Sequence, residues 1–143
     1  TWTSRTSGTT QDISGLTFGN STFIAVGGDD IDLDNGTILT SSDGTTWTSR
    51  TSGATNAYWG INYGNNTFVT TGTSGSILTS SDGTTWTSRT SGITNHIWGV
   101  TYGNSTFVTV SYAGEILTSS DGISWTSRTS GTTNILYDVT YKE

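Results

Sequence analysis

The chain has 143 residues and a formal charge of −6, from 11 Asp and Glu against 5 Lys and Arg. No basic stripe is present to neutralise phosphates, so no nucleic acid is expected as a partner. Cysteine is absent, which excludes thiol catalysis, and no apolar run approaches the ~20 residues of a membrane-spanning helix, so no membrane insertion is expected. Methionine and proline are absent too, and the richness in Thr, Ser, Gly and Asn points to an extracellular or cell-surface protein. A start without Met suggests either a removed leader or a piece of something longer.

The chain opens on TWTSRTSG at residues 1–8, and those eight residues close a longer word, ILTSSDGTTWTSRTSG, at 38–53 and again at 77–92. The word returns at 116–131 with Ile123 and Ser124 as its two changes. Trp2, Trp47, Trp86 and Trp125 are spaced by 45, 39 and 39 residues, and so are Phe18, Tyr63, Tyr102 and Tyr141. The six extra residues of the first interval fall in the stretch 28–35. Self-similarity at this period marks an array of one supersecondary unit.

Each unit reads as four short strands, A to D. In the third, IWGVTY (97–102) is strand A and Gly103-Asn104-Ser105 a tight turn. TFVTV (106–110) is strand B, with Tyr112-Ala113-Gly114 turning into strand C at 115–119. Asp121-Gly122 is a hairpin signal, and strand D follows at 124–129. No helical periodicity is visible.

Four antiparallel strands per ~40 residues match a β-propeller blade, with strand A near the central channel and D at the rim. The expected fold is therefore all-β: an incomplete arc of about three four-stranded antiparallel blades, plus a lone outer strand and a lone inner strand. In chain order, residues 1–8 are the outer strand of a preceding blade. Blade 1 is 9–53 with its insert at 28–35, blade 2 is 54–92 and blade 3 is 93–131. Residues 132–143 give the inner strand of a following blade. The count is 14 strands. Propellers typically have ~4–8 blades, so completion of the arc is expected from further blades of the same polypeptide or from a second copy.

The SSDGTTW box resembles the Asp-box (BNR) repeat, and the flanking GVTYGNSTFV and GEILTSSDG resemble the propellers of photosystem II assembly factors and related bacterial exoproteins. The likeness runs over essentially the whole chain, although the box is one residue shorter between Asp and Trp. It implies a structural C–D hairpin in each blade. Asp43, Asp82 and Asp121, with Ser41, Ser80 and Ser119, would cap the amides of their own turns, and Trp47, Trp86 and Trp125 would pack between blades. An Asx-type turn explains the same Asp residues on residue chemistry alone.

Strand order puts the A–B and C–D turns on one face of the arc and the B–C and D–A loops on the other. The first face is nearly invariant among the copies; the second carries the variation, which makes it the candidate binding face. There Trp59, Trp98 and Tyr137 hold equivalent positions near the start of strand A, with Ser14 in the first copy. Tyr58, His96, Asn56, Asn95 and Asn134 stand beside them. Aromatics at a loop mouth can stack on a sugar or anchor a protein partner; the competing reading has them packing between inner strands. In the insert, Asp30, Asp32 and Asp34 alternate as in an oxygen-ligand calcium loop, or as in a longer B–C hairpin. Calcium is the one candidate cofactor. The sequons at Asn20, Asn65 and Asn104 coincide with the A–B turn, which explains them by turn chemistry; a fourth is at Asn35.

No nucleophile, base and acid converge by repeat position, so no catalytic residue and no enzyme activity are expected. The expected function is a secreted or surface module binding a glycan or a protein. The alternatives are an assembly element that self-associates or scaffolds a complex and, more remotely, a fragment of a sialidase-like glycosidase.

Overall fold

The computed structural model describes residues 1–29 and 35–142. The calcium candidates Asp30, Asp32 and Asp34 fall outside the described residues. Among the described residues twelve strands form three four-stranded antiparallel sheets. Blade 1 runs β1 (Asp12–Gly19), β2 (Thr22–Gly28), β3 (Thr37–Ser41), β4 (Thr48–Arg50). Blade 2 runs β5 (Tyr58–Gly64), β6 (Thr67–Gly72), β7 (Ile77–Ser80), β8 (Thr87–Arg89). Blade 3 runs β9 (Ile97–Gly103), β10 (Thr106–Ser111), β11 (Ile116–Ser119), β12 (Thr126–Arg128). Among the described residues there is no α-helix, and hence none long and apolar enough to cross a membrane.

The A–B turns form because Asn accepts a left-handed backbone: Asn20, Asn65 and Asn104 sit at φ 44°, 46° and 46°. The cores lie between the sheets. Ile24, Val26 and Ile38 of blade 1 pack with Tyr58, Ile61, Phe68 and Leu78 of blade 2. Val69 and Ile77 of blade 2 pack with Ile97, Val100, Phe107 and Leu117 of blade 3. Burying both faces of a middle strand requires apolar residues at consecutive positions, which is why FIAV, FVTT and FVTV do not alternate cleanly.

Blades approach closely on their inner strands. The ring of Tyr63 lies directly over Gly19, Tyr102 over Gly64 and Tyr141 over Gly103, at places where a Cβ would collide with the ring. The three tyrosines of the register marker are thus each a ring seated on the glycine of the blade before it, while Phe18, in blade 1, is 55% exposed.

The two flanking segments form no ladder, so twelve of the fourteen expected strands do. A D strand pairs only with its own C, and an A strand only with its own B. Residues 1–8 have no such C partner, and Trp2 stands fully exposed. Residues 135–142 follow the path of an inner strand against β9, with Leu136 N–H donating to the Ser111 carbonyl (3.1 Å) and Tyr141 on Gly103. The β12 ladder is also shorter than the expected 124–129, because Trp125 belongs to the turn.

Candidate functional site

The two faces of the arc are fixed by hydrogen bonds. On one, the Asn20 side-chain amide donates to the Ser81 carbonyl and that of Asn65 to the Ser120 carbonyl, both at 3.4 Å, joining the A–B turn of one blade to the C–D turn of the next. On the other, the D–A loops meet the B–C loops. Asn56 Nδ2 donates to the Thr73 carbonyl (3.2 Å) and hydroxyl (3.1 Å), Ser74 N–H donates to His96 Nδ1 (3.1 Å), and Asn95 Nδ2 donates to Glu115 Oε2 (3.3 Å).

The Ser and Asp side chains of each SSDG turn bond within that turn. Ser41 Oγ–H donates to Asp43 Oδ1 (3.0 Å) and accepts from Gly44 N–H (2.9 Å), while Thr45 and Thr46 N–H both donate to Asp43 Oδ1 (2.8 Å). Ser80 and Asp82 repeat this pattern, as do Ser119 and Asp121. Donors converging on a carboxylate favour its charged form. The Thr45 side chain and the amides of Thr46 and Thr45 hold Asp43 well below the usual carboxylate range. The Thr85 and Thr84 amides do the same for Asp82, and the Ser124 and Ile123 amides lower Asp121. Trp86 Nε1 donates to the Gly83 carbonyl and Trp125 Nε1 to the Gly122 carbonyl, both at 3.1 Å. Trp86 leans on the core between blades 1 and 2 and Trp125 on that between blades 2 and 3; Trp47 is half-buried. One oxygen of each carboxylate, Oδ1, is thus taken up by three donors of its own turn.

The opposite face holds a cleft of about 550 Å³ along the inner strands. Ser14, Trp59, Trp98, Tyr137 and Asp138 line it. Trp59 and Trp98 stack with centroids 4.1 Å apart at 19°, and Tyr137 continues the row 5.8 Å from Trp98 at 53°. His96 sets its edge against Trp59 (5.4 Å, 80°), Trp98 (6.4 Å, 83°) and Tyr112 (6.5 Å, 79°). The row is graded in exposure: Trp59 is buried, Trp98 half-buried, and Tyr137 66% exposed. The aromatics pack on one another across the blades, and their free end opens to solvent.

A β-bulge marks this position in each of the three laddered inner strands. In β1 the pairing passes from Ile13↔Gly27 to Gly15↔Val26, skipping Ser14. In β5 it passes from Tyr58↔Gly72 to Gly60↔Thr71, skipping Trp59, and β9 skips Trp98 between Ile97↔Ser111 and Gly99↔Val110. A bulged residue leaves the pleat and is re-aimed, which is why bulges gather at sites. The following glycine completes the device: a Cβ on Gly15 would come within 2.6 Å of the Trp59 carbonyl, and one on Gly60 within 3.0 Å of the Trp98 carbonyl. The bulges went unread in the sequence, although the Ser-Gly, Trp-Gly and Trp-Gly pairs at matching repeat positions carry their signal.

The remaining candidates divide. Tyr58 is fully buried in the core between blades 1 and 2, where burial raises its pKa, so it does not reach the cleft. The bulge is the reason: neighbours in a plain strand alternate faces, but here Trp59 turns out and Tyr58 stays in the sandwich. Asn56 and Asn95 tie the loops together. Asn134 is exposed, its backbone N–H donating to Thr132 Oγ1 (3.1 Å). The repeat arginines lie on the outer strands, where Arg50, Arg89 and Arg128 donate through Nε to the Thr40, Thr79 and Thr118 hydroxyls (each 2.8 Å), far in the blade from the inner-strand cleft. Among the described residues no group of three or more His, Asp or Glu comes together to hold a metal ion.

No family model matches this sequence, and no curated protein matches it. Solved structures do. One, of YCF48 bound to a D1 peptide, superposes with a TM-score of 0.71 at 20% identity, over 89% of this chain and 42% of that one. Another, of YCF48 from Cyanidioschyzon merolae, superposes with a TM-score of 0.64 at 18% identity, over 82% of this chain and 37% of that one. The chain thus spans about two fifths of the length of the structures it resembles. At such identity the likeness speaks for the fold alone, and together with three four-stranded sheets whose inner strands β1, β5 and β9 lie side by side it makes this chain an open arc of a β-propeller.

Proposed function

We propose that this chain is a non-enzymatic binding module that holds an extended segment of a partner protein against the aromatic row Trp59–Trp98–Tyr137. The observation that carries the reading is the threefold bulge. Three successive inner strands each spend a residue out of register at the same point, and two of them put an indole there. A merely structural core would not need that displacement. A row of rings ending in an exposed Tyr offers stacking and hydrogen bonding to a side chain, with little entropy lost on binding. The similar YCF48 structure has a peptide as its partner, which favours protein over glycan as the ligand class here.

His96 supports a binding role rather than a catalytic one, since Nδ1 accepts from Ser74 and the ring edge is held by two indoles. The outer-strand position of the arginines speaks against the sialidase-like alternative. With this reading go an Asp-box identity for the SSDG turns, blades at 9–53, 54–92 and 93–131 with 1–8 and 132–143 belonging to flanking ones, and an extracellular or surface location. Probing a peptide array and a glycan array side by side with the wild type and Trp98→Ala tests it. Peptide signal lost in the variant is the expected result. Signal on glycans alone would change the ligand class, and signal indifferent to Trp98 would remove the site.

A further inference from the structure

The aromatic row is flanked by a single charge. Of the side chains that line the cleft only Asp138 is charged at neutral pH, and no Lys or Arg is among them. Its place in the repeat is unlike the others. Ser14, Trp59 and Trp98 are each followed by glycine, whereas Tyr137 is followed by Asp138. Glycine is needed where the next inner strand passes over, as the Trp59 carbonyl does at Gly15 and the Trp98 carbonyl at Gly60. A strand approaching residue 138 in that way would meet a side chain, so Asp138 keeps its open side and is exposed. The carboxylate is also held close to the row. Its Oδ1 accepts from the Val139 N–H (2.8 Å) and lies 3.3 Å from where a Cβ on Gly99, the residue after Trp98, would stand.

Positive charge lies elsewhere. Arg50, Arg89 and Arg128 are bonded to Thr hydroxyls on the outer strands, and Lys142 stands at the far end of the last segment, in the repeat position of Gly103. Beside the indoles, His96 uses Nδ1 as an acceptor from Ser74. The nearby carboxylate of Glu115 is engaged through Oε2 with Ser111 (2.8 Å) and Asn95 (3.3 Å).

We propose that the partner segment is anchored by a cationic side chain, Arg or Lys, laid on the exposed ring of Tyr137 with the Asp138 carboxylate as its counter-ion. The inference rests on the peptide-binding reading and names the residue class that the cleft selects. The face of an aromatic ring attracts a cation, and the aliphatic stem of Arg or Lys covers apolar surface such as the half-buried Trp98. An exposed ion pair alone contributes little, but here ring and carboxylate act on the same cation. A neutral side chain stacks on Tyr137 without the charge pair. An acidic one is opposed by Asp138 and by the net charge of −6.

A random-sequence peptide array, probed with the full chain and with Trp98→Ala, begins the test. Sequences whose signal depends on Trp98 are expected to share an Arg or a Lys. The strongest is then titrated by tryptophan fluorescence beside an analogue with citrulline for Arg or acetyl-lysine for Lys, which removes the charge and keeps the length. The analogue should bind about tenfold more weakly. Asp138→Asn, whose amide oxygen can still accept from Val139, should weaken the parent peptide about threefold and leave the analogue unchanged. Trp98-dependent sequences that lack a cation, or an Asp138→Asn effect equal on parent and analogue, overturn the proposal and leave the peptide-binding reading standing. If no peptide signal depends on Trp98, that reading falls and the cationic anchor with it.

Discussion

The two faces of the arc are made by opposite uses of the same backbone. On the SSDG face the sequence is copied almost unchanged, and the side chains of each turn bond within it: one serine and one aspartate close each loop, and an indole N–H returns to the same turn in blades 2 and 3. On the other face the inner strands break register, the loops differ, and aromatic surface is stacked and then left open. Repetition marks what a blade needs in order to fold. Departure from repetition, at Ser14, Trp59, Trp98 and Tyr137, marks where copies were free to differ.

That contrast can be broken most severely where blades touch. Gly60→Val puts branched bulk against the Trp98 carbonyl and the Thr71 hydroxyl and should cost about 3 kcal/mol or more, seen as a large drop in the urea midpoint. Trp86→Ala removes an inter-blade packer that is only half-buried and should cost about 2–3 kcal/mol in the same measurement. An unchanged midpoint would show that the indole is decorative.

Asp82→Ala leaves two turn amides without their acceptor; as the turn is exposed, about 1 kcal/mol is expected from thermal melts at pH 7. The pH dependence has a defined sign. The folded pKa values of Asp43, Asp82 and Asp121 are depressed, so their contribution is complete above the unfolded value near 3.9 and is lost as pH falls through the lower folded values. Melting temperature should therefore hold from pH 7 to about 5 and decline below about 4, less steeply in Asp82→Asn. At the small end, Tyr137→Ala should change stability by no more than about 0.5 kcal/mol, because the ring is mostly in water. It should nevertheless weaken peptide binding about tenfold in fluorescence titrations. A stability loss as large as that of Trp86→Ala would make Tyr137 part of the scaffold and erase the distinction between the faces.

Much of this was legible in advance, for local reasons. The blades, their four strands and the two faces followed from Trp and Tyr markers at 39-residue spacing and from turns whose chemistry lies within four residues, such as Asn104-Ser105 and Ser119–Gly122. The Asp turns needed only their own sequence, since every bond that the Ser and Asp side chains make to close them is short-range. Other features were hidden because they are properties of the stack. Tyr58 and Trp59 are adjacent and both aromatic, and nothing local says that one enters the core while the other enters the cleft; a single bulged residue decides it by moving Trp59 out of the pleat. The sequence by itself determined the unit, its turns and the number of copies, because these rest on contacts within a few residues of chain. Only the tertiary structure decided that residues 39 apart stack into one aromatic row, and that glycines at the start and end of each inner strand admit the next blade's backbone and ring. Those depend on how whole sheets approach one another, a distance set by the glycines and bulges of two blades at once.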